Sequence, residues 1–591
     1  LSGLLILASF TASKGYGAAL AAQWLMVAAA FVAGAPIVRN AVRALAVRHI
    51  SIDLLVSIAA VGALVIGEYW EAAAVTFLFA IGHALESDTL NKTRAALAEL
   101  IAVAPDTAIV MRKGEQVEIP AASVAMGEVV LVKNGAKVPV DGEVIAGTGA
   151  LDEASITGES IPVEKSKGDH VFAGTISRGG FLQVLATGIG ADTTLARIIH
   201  RVEDAQDAKA RTQKFMDRFS SWYTPAVVVL ALLAGLISGS VVLGLTLLVV
   251  ACPGALVISI PVSIVAGIGR SARDGILIKG GEFLEIAAKI DVVAVDKTGT
   301  LTKGRPQLTD VVALAPGVDK NQVLAWAARA EAGSEHPLAR PILEAAEQAG
   351  IPVAALPEHI EPVIGKGITA RVDGKRVLIG NLALLDRQAH ELATQGRTPM
   401  IVAVDDQVLG VIAVADEIRR DAAAMVAALH KAGVKKVVML TGDVKPVADA
   451  VAAATGIDEV HAGLLPEDKL DIVARLQRAG HVVAMVGDGV NDAPALATAD
   501  VGVAMGAAGS AVAVETADIA LMGDDLLKLP QAISMARRTL ANIRQNMAIA
   551  LATVVLLLAG VLMGGVTMSL GMLVHEGSVL AEGTMAAVQA D

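Results

Sequence analysis

Three short polar turns, each directly after an apolar run, carry the residues of this sequence that could do chemistry. Asp296 follows the run 291–295, and two later runs end in glycine-containing turns at 441–443 and 487–492. Short β-branched runs of this kind predict buried strands. Open α/β sheets carry their reactive groups at the carboxyl ends of such strands. Adjacent parallel strands would therefore bring the three turns together.

Asp296, at the end of a buried strand, suits attack on a phosphoryl group, because carboxylates form covalent acyl phosphates. An isolated aspartate in such a turn more often caps the next element, so the prediction depends on the other two turns. Thr441 could hold a phosphate, and Lys469 could bring a positive charge to it. Asp488 and Asp492 could bind magnesium, a hard ion that prefers oxygen ligands.

The three turns resemble the phosphorylation-domain signatures of P-type ATPases. The matching segments are Asp-Lys-Thr-Gly-Thr at 296–300, Thr-Gly-Asp at 441–443 and Gly-Asp-Gly-Val-Asn-Asp at 487–492. They occur in the family's order, and the likeness runs over nearly the whole chain. The resemblance implies that Asp296 is the phosphorylated aspartate and that Lys297 and Thr298 belong to the same catalytic turn.

The resemblance also implies roles for the groups around this aspartate, within a haloacid-dehalogenase-like α/β phosphorylation domain. Thr441 and Lys469 would hold the phosphate. The implied magnesium site consists of Asp296, Thr298, Asp488 and Asp492.

Composition places the chain among membrane proteins with large soluble parts. Of its 591 residues, 54% are hydrophobic, which is high for a soluble enzyme. The length predicts several domains. The net charge of −12 and the lack of an arginine-rich or aromatic-basic stripe argue against a nucleic-acid partner. Cys252 is the single cysteine, so the sequence has no Cys-x-x-Cys metal-binding module.

About eight apolar spans are predicted, which would form an α-helical transmembrane bundle. A helix needs roughly 20 residues to cross the hydrocarbon core, so residues 1–12 are interpreted as the remainder of an incomplete first span. The other spans are predicted at about 18–38, 50–67, 70–86, 217–238, 241–268, 543–563 and 566–586. Arg39, Arg43 and Arg48 follow the second span, whereas the opposite turns carry no Lys or Arg. The positive-inside bias then places both large polar regions in the cytoplasm, and the expected location is a bacterial inner membrane.

The first polar region, within 87–215, alternates valine, isoleucine and glycine and predicts a β-rich domain. It contains Ser-Ile-Thr-Gly-Glu-Ser at 155–160. Alone this would be an ordinary turn, but beside the other motifs it resembles the actuator-domain loop of P-type ATPases. The resemblance implies that Thr157, Gly158 and Glu159 form the loop whose glutamate positions the water that hydrolyses the aspartyl phosphate.

The segment 305–416, inserted after the predicted phosphorylation strand, alternates alanine-rich helices and short strands. It resembles the α+β nucleotide-binding domain of the heavy-metal branch of P-type ATPases. The residues that carry this resemblance are Glu331, His336 in Ser-Glu-His-Pro, and Gly365 with Gly367 in Gly-Lys-Gly. Taken singly, a His-Pro more often starts a helix and a Gly-x-Gly is a weak signal. The resemblance implies that these residues bind ATP, and no P-loop motif is present.

Polar groups inside the predicted spans indicate a metal site. Cys252 lies at a Cys-Pro-Gly break in one span, and His575, Glu576 and Ser578 lie in the last one. A buried cysteine is more often an inert apolar residue, whereas adjacent His and Glu inside a membrane are costly and need partners. Together the set offers sulfur, nitrogen and oxygen donors, which suit zinc, cobalt or iron(II) better than copper(I).

The membrane motifs resemble the heavy-metal branch only in part. A Cys-Pro in a broken span is typical of that branch, and His-Glu-Gly at 575–577 resembles its cobalt-type group. Cys-Pro-Gly at 252–254 departs from the Cys-Pro-Cys and Ser-Pro-Cys of the known groups. The lysine that lead- and zinc-type members pair with an aspartate falls at about Val554, so the metal stays open. Glu71, beside Trp70 at the outer mouth of a span, could receive the departing ion or could simply face water.

The resulting prediction is a multi-domain membrane protein that exports a divalent transition metal (zinc, cobalt, cadmium or iron(II)) through an aspartyl-phosphate intermediate. Its cofactors would be ATP and Mg²⁺, its partners the metal ion and the lipid bilayer, and its state a monomer. The predicted domain limits are 1–86, 216–269 and 539–591 for the spans, 87–215 for the actuator domain, 270–304 with 417–538 for the phosphorylation domain and 305–416 for the nucleotide-binding domain.

Three alternatives remain at this point. A membrane-anchored haloacid-dehalogenase-type phosphatase would explain Asp296 and Asp488 but not the segment 157–159. A non-transporting metal sensor would share the metal site. A pump for potassium or protons would share the ATPase motifs, although Cys252 and His575 argue against those ions.

Overall fold

A computed structural model of the chain describes residues 1–16, 18–47, 50–101, 105, 107–112, 114–157, 162–251, 254–334, 338–353, 357–363, 367–380, 392–488, 492–506 and 515–588. The chain divides into two compact units, one formed by Leu1–Ala288 with Met535–Asp591 and the other by Lys289–Ser534. The first unit contains apolar helices and a β-rich domain, and the second contains two sheets with their helices.

Apolar helices form much of the first unit. Up to residue 288 its helices are α1 (Ser2–Tyr16), α2 (Ala19–Ala46), α3 (Ile52–Ile66), α4 (Tyr69–Ile101), α5 (Ala154–Thr157), α6 (Thr194–Asp207), α7 (Arg211–Ser238), α8 (Val241–Val250), α9 (Gly254–Arg273) and α10 (Gly281–Ala287). Local signals set their limits. Helix α3 begins where the Ser51 hydroxyl accepts the Leu54 N–H, and it ends at Gly67, whose φ of 87° suits only a residue without a Cβ.

The β-rich domain lies between α4 and α7. Its strands are β1 (Thr107–Arg112), β2 (Glu115–Pro120), β3 (Val129–Lys133), β4 (Asp141–Asp152), β5 (Val163–Lys165), β6 (His170–Val171) and β7 (Ile176–Gly188), and a further strand, β8 (Ile276–Ile278), follows α9. Strands β1 to β7 pair antiparallel in the order β2-β1-β3-β7-β4-β5, with β6 also on β4. Alternate valines such as Val130, Val132 and Val184 fill its core. The predicted β-rich domain is confirmed.

The second unit contains twelve of the described strands and six short helices. The strands are β9 (Val292–Asp296), β10 (Gln307–Ala313), β11 (His359–Val363), β12 (Gly367–Val372), β13 (Lys375–Gly380), β14 (Thr398–Val404), β15 (Gln407–Ala415), β16 (Lys436–Leu440), β17 (Glu459–His461), β18 (Val483–Gly487), β19 (Val501–Ala504) and β20 (Ile519–Leu521). The helices are α11 (Lys320–Glu331), α12 (Ala339–Gln348), α13 (Ala422–Lys431), α14 (Lys445–Thr455), α15 (Pro466–Arg478) and α16 (Ala493–Thr498).

These strands form one parallel and one antiparallel sheet. The parallel strands pair in the order β17-β16-β9-β18-β19-β20, with β9 in the interior. Residues Val292–Val295 of β9 are fully buried, as a strand covered on both faces requires. The antiparallel sheet has the order β10-β15-β14-β13-β12-β11, and helices α11 and α12 share its apolar core. The inserted segment therefore has the mixed α and β character that the sequence predicts.

Two long helices, α17 (Lys528–Leu562) and α18 (Met568–Val588), complete the described chain. By length and composition, three described helices could cross a membrane: α2, α7 and α17. Shorter apolar helices cover Ile52–Ile66, Tyr69–Leu85 and Val241–Val250. The count of eight spans stays a prediction.

The helices extend beyond the predicted spans. Helix α4 continues to Ile101, although the predicted span ends near residue 86, and α17 begins at Lys528 rather than near 543. Hydropathy marks only the apolar part of a helix, whereas its hydrogen-bonded turns can continue into water. The span predicted at 241–268 corresponds to α8 and α9, on either side of residues 252 and 253, which lie outside the described residues.

Candidate functional site

The three predicted polar turns begin side by side at the carboxyl edge of the parallel sheet. Strand β9 runs between β16 and β18, and in this register Leu440 lies opposite Asp296 and Val486 opposite Val295. The turn that begins at Thr441 and the turn that follows β18 therefore start beside Asp296. This part of the sequence prediction is confirmed by the strand pairing.

Lys469 joins the two carboxylates at the centre of this edge. Its Nζ lies 2.6 Å from Asp296 Oδ1 and 2.7 Å from Asp492 Oδ1, and all three side chains are largely buried. Helix α15 positions the lysine in its first turn, three residues after the helix-starting Pro466. One ammonium group faces two carboxylates here, so the cluster keeps a net negative charge.

Burial and this residual charge shift the titration of the cluster. Burial, with the Asp492 charge added to it, outweighs the Lys469 contact and raises the pKa of Asp296 to about 6. Burial alone would lower the pKa of Lys469, but the Asp296 and Asp492 carboxylates outweigh it and the pKa is raised. The lysine therefore stays charged, while Asp296 titrates well above the usual range of a carboxyl group.

The turn after β9 orients the Asp296 carboxylate. The Thr298 N–H donates to Asp296 Oδ2 at 3.0 Å, so each carboxylate oxygen has one donor. Gly299 adopts a φ of 75°, which allows the chain to reverse. The Lys297 Nζ instead lies 2.5 Å from Asp443 Oδ2, in the turn after β16. Lys297 therefore links the turn after β9 to the turn after β16, and its described polar contact is with Asp443 rather than with Asp296.

Asp416 and Arg419 also fix the conformation of this turn. No catalytic role was predicted for the segment that contains them. Asp416 accepts hydrogen bonds from the Thr302 hydroxyl at 2.6 Å and from the Gly304 and Arg305 N–H groups. Arg419 donates to the carbonyl oxygens of Gly299, Thr302 and Asp524. Position in sequence does not reveal these contacts, because they join residues more than 100 positions apart.

The predicted magnesium ligands are only partly assembled. Asp296 and Asp492 share Lys469, and Asp488 lies near Gly299, where an added Cβ would be 3.9 Å from the Asp488 Cβ. Among the described residues, no three His, Cys, Asp or Glu side chains converge closely enough to hold a metal ion. These residues nevertheless fit magnesium. Asp296 and Asp492 offer carboxylate oxygens, and their two negative charges exceed the one positive charge of Lys469. The remaining coordination positions of the ion would be filled by water and phosphate oxygens.

The predicted nucleotide-binding residues are described in part. Glu331, the last residue of α11, is buried, its Oε2 has no hydrogen-bond partner among the described residues, and burial raises its pKa. Gly367 begins β12 with a φ of 133°, and a Cβ there would lie 2.0 Å from the Ile379 carbonyl oxygen. This close approach is a structural reason for glycine at 367. His336 and Gly365 lie outside the described residues.

The predicted hydrolysis loop emerges between two paired strands. Thr157 ends helix α5 and is buried, whereas Gly158 and Glu159 lie outside the described residues. Strand β4 precedes the loop and strand β5 follows it. The two strands pair antiparallel, and Gly149 lies opposite Lys165. The Lys165 Nζ lies 2.9 Å from Glu153 Oε1, and both side chains are nearly buried. This ion pair, which the sequence analysis did not anticipate, closes the base of the loop.

His575 and Glu576 are buried on one face of α18. Met568, Met572 and Val579 share that face, whereas Leu573 and Val574 are exposed. The exposures follow the helical period of 3.6 residues. The Glu576 carboxylate stands against Gly82 of α4, where a Cβ would lie 1.7 Å from its Oε2. Two adjacent polar side chains therefore point into the helix bundle, and their role as metal ligands stays a prediction.

The same face of α18 approaches the end of α8. A Cβ at Gly571, one turn before His575, would lie 2.5 Å from the Val250 side chain. Val250 ends α8 two residues before Cys252, which itself lies outside the described residues. Ser578 lies on the side of α17, where its hydroxyl accepts a hydrogen bond from Thr553 at 3.4 Å. Thr553, which directly precedes Val554, was not predicted as a site residue.

Glu71, the predicted outer acceptor, contacts the start of α18. Its Oε2 accepts the Ser569 N–H at 2.5 Å, and the residue is half-buried. Unpaired N–H groups at the start of a helix attract negative charge, which explains the contact. Glu71 therefore does not simply face water.

Comparisons with known proteins agree with this geometry. Residues 290–500 match the haloacid dehalogenase-like hydrolase model, and residues 102–203 match the P-type ATPase actuator domain. A "Probable cadmium-transporting ATPase" of Staphylococcus aureus (strain MRSA252) is 42% identical over 548 residues, which cover 89% of this chain and 76% of the relative. The chain belongs to the heavy-metal-transporting branch of the P-type ATPases.

Two further matches show the breadth of this metal-transporting branch. A "Probable copper-exporting P-type ATPase V" of Mycobacterium tuberculosis (strain ATCC 25618 / H37Rv) is 42% identical over 578 residues, covering 92% of this chain and 74% of the relative. A crystal structure of a zinc-transporting PIB-type ATPase is 38% identical with a TM-score of 0.57, and the match covers 100% of this chain and 98% of that one. The metals named for these relatives differ.

Family membership settles the coarse function. The protein is an ATP-hydrolysing transport enzyme of the membrane, with an actuator domain and a haloacid-dehalogenase-like domain. A phosphatase alone or a sensor alone would not have relatives of this kind over most of the chain. The sequence predictions of family, fold class and enzyme type are confirmed, whereas the metal stays unresolved.

Proposed function

We propose that this ATPase exports a divalent transition metal, with zinc, cadmium, cobalt and iron(II) as the candidate ions. The observation that carries the proposal is the pair of buried side chains His575 and Glu576 on one face of α18. Nitrogen and oxygen donors suit borderline divalent ions, whereas copper(I) favours more sulfur than the single Cys252 offers. Relatives named for cadmium and a solved zinc transporter support the same class of ion.

The transported ion would bind Cys252, His575 and Glu576, with Ser578 beside them. A cation among these groups would compensate the charge of a carboxylate at membrane depth. The contact between Gly571 and Val250 supports the set, because it brings α18 close to the chain that leads to Cys252. Glu71 would receive the ion on its way out, since it lies at the other end of the same contact between α4 and α18.

The first chemical step would be attack by an Asp296 carboxylate oxygen on the γ-phosphorus of ATP. The new P–O bond forms an acyl phosphate as the bond to ADP breaks. Lys469 and the Thr298 N–H hold the carboxylate in one orientation. Thr441, buried beside the nucleophile, would donate its hydroxyl to the phosphoryl group.

Magnesium, when bound near Asp488 and Asp492, would neutralise charge that develops on the phosphoryl oxygens. Glu331, His336, Gly365 and Gly367 would hold the nucleotide. Among the residues that the structure describes, the buried Oε2 of Glu331 has no hydrogen-bond partner, which supports this assignment because a buried acceptor without a partner is rare in proteins.

The second chemical step would be hydrolysis of the acyl phosphate, assisted by the loop of Thr157, Gly158 and Glu159. Glu159 would accept a proton from the attacking water while the P–O bond to Asp296 breaks and phosphate leaves. We also propose that the protein lies in a bacterial inner membrane with its catalytic domains in the cytoplasm. The arginines that follow the second predicted span support this orientation.

The experiment that tests this function is ATPase activity of the purified protein against a panel of metal ions. Wild type would be compared with Cys252→Ala, Glu576→Ala and Asp296→Asn. Stimulation by zinc, cadmium, cobalt or iron(II) that both membrane variants lose would support the proposal and name the ion. Turnover that needs Asp296 but ignores metal and both membrane substitutions would contradict it. Uptake of the same metal into sealed vesicles would separate a pump from a sensor.

A further inference from the structure

The contact between α4 and α18 contains a glycine that the mechanism above does not use. Gly82 is buried, while its neighbours Ile81 and His83 are exposed, so it is the residue of this turn that faces the bundle. Ala72 and Val75, two to three turns earlier on the same face, are fully buried as well. The orientation of α4 therefore directs the Gly82 position at α18.

The space above Gly82 is occupied by the side chain of Glu576. A Cβ built at residue 82 would lie 1.7 Å from Glu576 Oε2, 2.5 Å from its Cδ and 3.3 Å from its Cγ. Carbon and oxygen atoms normally keep roughly 3.5 Å apart, so the carboxylate would have to retreat by about 1.5 Å or more. Because its Cδ is also too close, a small rotation of the carboxylate does not remove the clash.

We propose that Gly82 is a positioning residue of the transport site, whose missing side chain leaves the space in which the Glu576 carboxylate stands. This inference rests on the proposed role of Glu576 as a metal ligand. Small residues usually allow two membrane helices to approach each other. Here the atoms that approach α4 are those of a carboxylate on the partner helix, so the glycine sets where a metal donor can lie.

A second contact between the two helices supports a fixed position of α4 relative to α18. The Glu71 carboxylate of α4 accepts a hydrogen bond from the Ser569 N–H at the start of α18. Residues 71 and 82 are about 16 Å apart along a helix, at 1.5 Å per residue. Two contacts at this separation restrict sliding and rotation of α4 on α18. A side chain added at residue 82 would therefore displace Glu576 more readily than it would displace the helix.

The test compares the effect of Gly82→Ala in wild type with its effect in Glu576→Asp, whose shorter side chain leaves room for the added methyl group. Gly235→Ala is the matched control, because a Cβ at that glycine in α7 meets its nearest atom at 3.6 Å, an ordinary contact. The readouts are the Zn²⁺ or Cd²⁺ concentration for half-maximal ATPase activity and the metal bound per protein. Phosphorylation of Asp296 by inorganic phosphate without metal reports whether each variant is folded.

For Gly82→Ala we expect the half-maximal metal concentration to rise about 10- to 100-fold, the usual effect of losing a group that orients a metal ligand. Gly235→Ala should stay within about 2-fold of wild type, since distant surface-like changes are small. In the Glu576→Asp background, Gly82→Ala should add at most about 2-fold to the loss that Glu576→Asp causes alone, whereas independent effects would add in full. Phosphorylation by inorganic phosphate should persist in all of them.

Two results would overturn the inference. One is a normal metal response in Gly82→Ala while Glu576→Ala loses it, which would leave the proposed function intact. The other is a loss caused by Gly82→Ala, of metal response or of phosphorylation by inorganic phosphate, that is equally large in wild type and in Glu576→Asp, which would assign Gly82 to helix packing. A normal metal response in Glu576→Ala would instead contradict the proposed function itself.

Discussion

As the proposed nucleophile, the carboxyl group of Asp296 must be ionised to attack phosphorus, and its surroundings oppose that ionisation. Burial and the neighbouring Asp492 raise its pKa from 3.8 to about 6. Protonation removes the nucleophile, so activity should fall as the pH falls through about 6, rather than through about 4 as for an ordinary aspartate. The pH profile of kcat/KM for ATP checks this, because it reports groups of the free enzyme.

Asp492→Asn provides the matched variant for this pH dependence. It removes the negative charge that raises the Asp296 pKa, so the acid limb of the profile should move to lower pH even if the maximal rate drops. Asp449→Asn, which changes an exposed pair with Lys445, should leave the limb in place. An acid limb near pH 4 in wild type, or one that Asp492→Asn does not move, would contradict the assigned electrostatics.

Lys469 is the one described cation in contact with both carboxylates of this cluster. Lys469→Met keeps much of the side-chain volume but leaves Asp296 and Asp492 to repel each other, and it removes a charge from the phosphoryl site. We expect phosphorylation by ATP to slow by about 100- to 1,000-fold, as for loss of one transition-state donor. Rapid-quench measurement of phosphoenzyme formation checks this, with Lys445→Met as the exposed control.

At the scale of elements, the β4–β5 pair carries the proposed hydrolysis loop, and the Glu153–Lys165 contact joins the two segments that flank it. Removing one partner of a nearly buried ion pair costs roughly 3–5 kcal/mol locally, because the other charge stays buried. Glu153→Gln should therefore loosen the loop and slow phosphoenzyme decay about 10-fold or more, with phosphorylation by ATP nearly unchanged.

The decay of phosphoenzyme after an excess of unlabelled ATP measures the effect of Glu153→Gln. Arg178→Gln is the control, because it breaks a more exposed pair with Asp152 on the neighbouring β4–β7 pair of strands. The double variant Glu153→Gln/Lys165→Met should decay faster than Glu153→Gln alone, since it leaves no unpaired charge. Equal slowing of both phosphorylation and decay would indicate general damage and would refute a specific role in hydrolysis.

The sequence predicts those features whose signal lies in neighbouring residues, and it does not predict those that arise from contacts between distant segments. Asp296 was predicted because a buried apolar run ends at it, and strand pairing then places its partner turns at a known edge. His575 and Glu576 stand out because charge is costly inside a membrane. The contacts of Arg419 and the space at Gly82 have no local signal, because helix rotation and contacts between distant segments create them.

At the scale of the whole molecule, the proposed metal site in one unit and the proposed phosphorylation site in the other would act in one transport cycle. Transport requires that the metal bind differently to the states before and after phosphorylation, because equal affinity would shift nothing. Linkage is reciprocal for binding equilibria. Metal should therefore favour phosphorylation of Asp296 by ATP and oppose its phosphorylation by inorganic phosphate, which runs the hydrolysis step backwards.

This reciprocity gives a prediction that separates coupling from catalysis. In Glu576→Ala the phosphorylation chemistry at Asp296 should be unaffected, so inorganic phosphate should still label the protein, but added zinc or cadmium should no longer suppress the label. A coupling of about 5- to 150-fold is typical for such linked sites, so wild type should show a shift of that size. Asp296→Asn should show no label at any metal concentration. Suppression of the label that persists unchanged in Glu576→Ala would mean that the metal acts at another site, and the export mechanism through α18 would have to be abandoned.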